Sequence, residues 1–112
     1  MKWYLAKIVF QIICGNGKHQ PQFDEQFRLI TGTDAEDACA KARQIGEQEH
    51  EVFLNRNNEP VEWKFIGVAD IFPLRELRDG IEVISRIHEP EDAEAYIVSL
   101  NKKSLRLLSQ PS

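Results

Sequence analysis

The fold is decided by one stretch, Val61-Glu62-Trp63-Lys64-Phe65-Ile66-Gly67-Val68-Ala69-Asp70-Ile71-Phe72. Strand side chains alternate between two sides, and here one side is predicted to hold Val61, Trp63, Phe65, Ala69 and Ile71. The other side begins polar and becomes apolar, which predicts a strand that is half-solvated at first and covered on both faces later. Gly67 lies at this change, where a bulge or bend is expected, and Pro73 ends the strand because it has no N–H for a ladder. The stretch is long for a strand, so we expect a central, bent one.

Outward from this stretch, the chain predicts the order strand, strand, helix, strand, strand, strand, helix. The predicted strands cover about residues 3–13, 22–31, 51–55, 61–72 and 81–88, and the predicted helices cover about residues 34–49 and 90–108. This order is typical of the α+β class, with a mostly antiparallel sheet of about five strands and helices packed on one face. Residues 1–112 are predicted to form a single domain.

Local patterns support the individual elements. The first strand has an unbroken apolar side made of Tyr4, Ala6, Ile8, Phe10 and Ile12. Thr33 and Glu36 have the spacing of a capping box at the start of the first helix, whose buried side is predicted to be small: Ala35, Ala38, Ala42 and Ile45. Pro90 is predicted to open the second helix at its first position.

The composition excludes several classes of function. The chain has 112 residues with a net charge of −4, which disfavours a nucleic-acid partner and an anionic membrane surface. Two cysteines are too few for a disulfide scaffold, and Lys7 and Gln11 interrupt the apolar N-terminal run that could resemble a secretion signal. We therefore expect a cytoplasmic protein with no membrane partner.

No catalytic constellation is visible in the sequence. Cys14 and His19 flank a glycine-containing loop, but nothing nearby suggests an oxyanion site or further metal ligands. His50, His88 and Asp70 lack the short spacing that paired zinc ligands usually show. We expect no catalytic residue, no metal and no cofactor, and an enzyme is not the favoured interpretation.

One carboxylate is a candidate for ligand binding. Asp70 lies in the most apolar part of the chain, where a partly buried carboxylate can serve a function. The alternative is that it points off the sheet edge or pairs with Arg75 or Arg78. A small-ligand site would comprise Trp63, Asp70, Arg75 and Arg78.

The second side of the predicted sheet is too apolar for a simple two-layer monomer. Its uncovered side chains would include Trp3, Leu5 and Val9, which we interpret as an interface. A homodimer that packs sheet against sheet is the preferred cover, and the C-terminal helix lying over the same side is the rival.

Three blocks carry a family resemblance. The opening Trp3-Tyr4-Leu5-Ala6-Lys7 has the pattern W-Y-x-A-K, the central stretch has E-W-x-F-x-G-V-x-D-I from Glu62 to Ile71, and a third block runs from Leu77 to Val83. Together they resemble the DUF4288 family of small bacterial domains of unknown function, over roughly residues 3–88. The resemblance implies a bacterial, cytoplasmic, single-domain protein and assigns no catalytic residue.

The sequence therefore predicts a non-enzymatic binding or interaction module that acts as a homodimer. The first alternative is a small-ligand-binding protein or minor enzyme with its site around Asp70, Trp63 and Arg75. The second is an inhibitor or immunity-type partner of another bacterial protein, which the acidic charge would suit.

Overall fold

A computed structural model describes residues 1–109. In this range the strands are β1 (Lys2–Cys14), β2 (Gln22–Gly32), β3 (Glu51–Leu54) and β4 (Pro60–Leu74), and the helices are α1 (Ala35–Gln48) and α2 (Ala93–Ser109). The strands form one sheet in the order β2-β1-β4-β3, and every neighbouring pair is antiparallel. The predicted α+β class is confirmed, with four strands in place of about five.

The core lies between the sheet and α1. The apolar side predicted for β1 supplies its centre, because Tyr4, Ala6, Ile8 and Phe10 are all buried there. Residues that pair directly across antiparallel strands point to the same face, so their partners on β4 also face α1. Phe65 pairs with Phe10, and their ring centroids are 5.9 Å apart.

Two bulges in β4 change the predicted alternation. Val9 pairs with Gly67 and Phe10 with Phe65, so Ile66 is an extra residue on β4, and a second shift follows between Lys7 and Ile8. Each inserted residue reverses the alternation, so Val68 joins the core in place of exposed Ala69. The bulge expected at Gly67 is thus confirmed, and the predicted core position of Ala69 is wrong.

Small residues let α1 lie close to the sheet. Ala38, Ala42 and Gly46 are its buried residues and recur every four positions. A Cβ at Gly46 would overlap the ring of Phe65. The N-cap is Asp34, whose side chain accepts a hydrogen bond from the backbone N–H of Asp37 at 2.8 Å. The predicted cap at Thr33 is wrong by one residue.

The strand predicted over residues 81–88 does not form. The chain from residue 75 to residue 92 is irregular, with a turn in which Ile81 N–H donates to the Arg78 carbonyl at 3.2 Å. An alternating pattern makes a strand only where a ladder partner is within reach. The preceding strand, β4, already has β1 and β3 as neighbours.

The second helix begins later than predicted and does not pack on the sheet. The Asp92 side chain accepts a hydrogen bond from Ala95 N–H at 3.0 Å, so α2 starts at Ala93 and not at Pro90. No residue of α2 is buried, and α2 contacts no other helix or strand of the described residues. The radius of gyration, 18.4 Å, exceeds the roughly 13 Å of a compact domain of about this size. Only α1 therefore fulfils the prediction of helices packed on one face.

Candidate functional site

The sheet has one covered face and one face opposite α1, which we call the open face. Along β1 and β2, the residues of the open face alternate with the core residues, and those of β1 pair directly with those of β2. They are Trp3, Leu5, Lys7, Val9, Gln11 and Ile13 on β1, and Phe23, Glu25, Phe27, Leu29 and Thr31 on β2. The cross-strand register brings the apolar members of this set close to one another.

Three apolar side chains of β2 are half-exposed on the open face. Phe23, Phe27 and Leu29 are 54%, 49% and 51% exposed, respectively. Leu29 pairs with Leu5 and Phe27 pairs with Lys7, so the row continues onto β1. Isolated exposed apolar residues are ordinary, but a contiguous group on one sheet face is typical of an interaction surface.

A single ion pair lies within this apolar row. The Lys7 ammonium is 2.8 Å from Glu25 Oε1 and 5.9 Å from the centroid of the Phe27 ring. The pair neutralises two charges on the open face, and the lysine stem covers part of the Phe27 ring. The middle of the face therefore carries no uncompensated charge from this pair.

Strand β2 is also an edge of the sheet, and α1 holds it from the covered side. Both Arg28 terminal nitrogens contact the Glu49 carboxylate, and Lys41 Nζ donates to the Thr31 carbonyl at 2.6 Å. These contacts fix the orientation of β2, so its opposite side presents Phe27 and Leu29 outward. Long edge strands with apolar side chains are sites of further association.

The residues predicted to bind a small ligand are not brought together. Arg75 and Arg78 line an open cleft of about 490 Å³, where Arg78 Nε is 2.7 Å from Glu76 Oε1. Trp63 lies twelve positions before Arg75, which corresponds to a path of roughly 40 Å along an extended strand. Its indole N–H donates to Asp24 Oδ2 at 3.1 Å beside the core.

Asp70 lies on the open face, away from both of these places. It pairs in register with Lys7 and is exposed, so the partial burial considered for a functional Asp70 is not observed. Among residues 1–109, Asp70 forms no salt bridge and lines none of the main clefts. Ligand binding at these four residues stays a prediction.

The predicted interface residues share the open face but differ in exposure. Trp3 is 37% exposed and Val9 is partly exposed, so both are available to a partner. Leu5 is only 5% exposed, because the chain itself already covers it. A contact through Trp3 and Val9 stays a prediction, and Leu5 can only support it from beneath.

The loop that flanks Cys14 and His19 has a structural explanation. His19 Nε2 accepts a hydrogen bond from the backbone N–H of Cys14 at 3.0 Å, and His19 Nδ1 is 2.8 Å from the Gln20 carbonyl. Both ring nitrogens thus contact the main chain. Within the described range there is no group of three or more potential metal ligands, and no helix there is long and apolar enough to cross a membrane.

Comparison with protein families gives one match. The model for a domain of unknown function, DUF4288, matches residues 3–85. The chain belongs to the DUF4288 family. Searches of curated proteins and of solved structures found no match.

The DUF4288 match includes the whole sheet and α1 but ends before α2, which begins at Ala93. The open face is therefore part of the DUF4288 domain, whereas α2 follows it as an added element. The alternation along β2 predicts that Phe23, Phe27 and Leu29 share one side of the strand. What the sequence did not supply was the register that places them beside Leu5 and Lys7.

Proposed function

We propose that this DUF4288 domain is a protein-interaction module that self-associates through its open face. The observation that carries the proposal is the group of half-exposed side chains on one side of β2, in which Phe27 and Leu29 are neighbours and Phe23 lies beyond Glu25. Removing half of such a side chain from water contributes about 1 kcal/mol, so several together favour association. A second copy of the chain is a partner that always carries the same surface.

The charges and the clefts favour an interaction role over catalysis. The Lys7–Glu25 ion pair neutralises two charges of the open face, and Asp70, in register with Lys7, is an exposed carboxylate beside them that a basic group of a partner surface can meet. The clefts of the described part of the chain are shallow openings lined mainly by exposed side chains. A cytoplasmic location and a bacterial source stay predictions.

Light scattering coupled to size exclusion tests the proposal. The wild type is expected to elute as a dimer at micromolar concentration. Phe27→Ser together with Leu29→Ser is expected to raise the dimer Kd at least about thirtyfold, because about 2 kcal/mol of apolar burial is lost. A wild type that remains monomeric at high micromolar concentration would contradict the proposal.

A matched control uses the other edge of the sheet. Val52 and Leu54 on β3 are also exposed and apolar, and their pairing with Glu62 and Pro60 places them on the open face at the edge away from β2. The double change Val52→Ser and Leu54→Ser removes similar exposed apolar surface and is expected to leave the dimer intact. Equal weakening by both double variants would show that association is not confined to the β2 side of the open face.

A small-ligand role at the Arg75–Arg78 cleft is the second candidate function. The observation that favours it is the cleft of about 490 Å³, in which Arg78 is paired with Glu76 while Arg75 forms no ion pair among the described residues and could meet an anionic ligand. Inorganic phosphate and a set of carboxylates would be screened by thermal shift. Stabilisation that Arg75→Gln abolishes and that Asp70→Asn leaves unchanged would support this candidate, whereas no stabilisation by any anion would reject it.

A heterologous protein partner is the third possibility, and the acidic net charge of −4 would suit a basic one. It predicts a wild type that is monomeric by light scattering and that co-purifies with a basic protein at its native expression level. Loss of that co-purification in the Phe27→Ser, Leu29→Ser variant would place the partner on the open face.

A further inference from the structure

The helix α2 carries an apolar stripe that no helix or strand among residues 1–109 covers. Tyr96, Ile97, Leu100 and Leu107 recur at helical spacing on one side and are all exposed. Beyond a stacking contact of Tyr96 with His88, with ring centroids 5.2 Å apart, α2 stands away from the described body of the chain. A helix with such a stripe gains stability from packing against another apolar surface.

The open face has the length to accept this stripe. The seventeen residues of α2 span about 25 Å at the rise of an α-helix. On β2, the apolar row from Phe23 to Leu29 covers six strand steps, or about 20 Å. The apolar stripe of α2 from Tyr96 to Leu107 covers about 17 Å, so the row is long enough to accept it.

The charges of the two parts are complementary. The α2 segment holds three basic residues, Lys102, Lys103 and Arg106, and one acidic residue, Glu94, and so contributes +2. Residues 1–74, which form the sheet and α1, hold eight basic and eleven acidic residues and so carry −3. Asp70 supplies an exposed carboxylate on the open face itself. Attraction between the two parts raises the rate and the specificity of docking.

The buried area indicates how many helix contacts a stable dimer needs. A helix about 25 Å long and about 10 Å wide has a footprint of roughly 250 Å² on each surface that it joins. One such contact in a dimer, whether between two α2 helices or from one helix to one sheet, buries roughly 500 Å² and resembles a crystal contact. Two reciprocal contacts bury roughly 1,000 Å², which reaches the lower limit for a specific interface.

We therefore propose that α2 of each copy packs across the open face of a second copy, in a reciprocal exchange within a twofold-symmetric dimer. The exchange covers the two apolar surfaces that the single chain leaves exposed. This inference rests on the proposed self-association through the open face and adds which element occupies that face. It also gives a role to the segment that follows the DUF4288 match.

Cysteine cross-linking between two tagged forms of the full-length chain tests the exchange. Cys14→Ser and Cys39→Ser provide the background, in which Leu29→Cys marks the open face of one form and Leu100→Cys marks α2 of the other. After mixing and mild oxidation, we expect the disulfide between the two different tags to dominate. Both marked side chains are exposed, so neither change threatens the fold.

Each other product overturns the inference. A disulfide between two Leu100→Cys chains would show helix-to-helix pairing, and one between two Leu29→Cys chains would show sheet-to-sheet packing. A chain carrying both changes that forms only an internal disulfide would show that α2 covers its own sheet. Absence of any cross-link would show that α2 does not reach the open face.

Light scattering then separates this inference from the proposed function. Ile97→Glu with Leu100→Glu disrupts the apolar stripe, and Ala95→Glu with Ser99→Glu adds the same charge on the opposite side of α2 as the control. We expect about thirtyfold weaker dimerisation for the first pair, the size of an interface hot spot, and little change for the second. If both pairs remain dimeric while Phe27→Ser with Leu29→Ser is monomeric, the exchange fails and the open-face proposal stands. A monomeric wild type overturns both.

Discussion

Phe10 and Phe27 lie on adjacent strands of one sheet, yet Phe10 is 1% exposed beneath α1 and Phe27 is 49% exposed on the open face. The difference comes from what lies above each face. On one side α1 presents Ala38, Ala42 and Gly46, which allow the helix to approach the sheet closely. On the other side the described chain supplies no helix, and its one remaining helix stands apart.

The comparison shows that side-chain chemistry alone does not decide burial in this sheet. Both faces contain phenylalanine and leucine or isoleucine, but only the face with a helix of small residues becomes a closed core. The open face has the apolar composition that is typical of an interaction surface. Substitutions that are chemically equal on the two faces should therefore have unequal effects.

The largest contrast is expected between Phe10→Ala and Phe27→Ala. Phe10→Ala should lower the free energy of unfolding by about 3–5 kcal/mol, because it leaves a cavity in the core. Phe27→Ala should lower it by less than about 1 kcal/mol in dilute protein, since a half-exposed side chain buries less apolar surface on folding. Urea denaturation followed by circular dichroism measures both, and equal losses would show that the open face is packed within the monomer.

A smaller contrast is expected between two glycine substitutions. Gly46→Ala should destabilise the fold by about 1–2 kcal/mol, because overlap with the Phe65 ring outweighs the gain in helix propensity. Gly67→Ala should stay within about 0.5 kcal/mol, because no atom lies within 4 Å of its added Cβ and its φ is not positive. Thermal unfolding of the two variants compares them, and a stabilised Gly46→Ala protein would mean that α1 lies further from the sheet.

The smallest effect concerns the start of α1. Asp34→Ala should cost about 1 kcal/mol, because the Asp37 N–H loses its acceptor. Thr33→Ala should cost clearly less, since only the backbone N–H of Thr33 takes part, donating to Asp37 Oδ2 at 2.9 Å. Chemical denaturation at one pH ranks the two variants. A larger loss of unfolding free energy for Thr33→Ala would show that Thr33, which the sequence pattern favoured, is the N-cap.

Alternation and capping signals predicted most of the fold. The apolar side of β1 and the small residues of α1 were both legible in the sequence, because they follow the two periods of strand and helix. A bulge was expected at Gly67, but the sequence did not predict that β4 has two bulges. Together they restore the original alternation, so that Ile71 faces the core as predicted. The predicted strand over residues 81–88 failed because strand formation needs a partner that only the tertiary structure supplies.

The candidate site was predicted in part. Trp3 and Val9 were assigned to the correct face, since β1 alternation fixes it. Phe27 and Leu29 were not assigned to the interface, because their position beside Lys7 and Leu5 depends on the β1–β2 register. Trp63 and Arg75 are not grouped in the structure, since Trp63 lies near the start of β4 and Arg75 follows its last residue.

Hydroxyl-radical footprinting over a range of protein concentrations tests most directly whether the open face is an association surface. Mass spectrometry would quantify oxidation of Phe23, Phe27 and Trp3 on the open face and of Phe10 in the core. We expect the open-face residues to become protected as the protein concentration rises, while Phe10 is protected throughout. Open-face residues that stay equally reactive up to high micromolar concentration would contradict it.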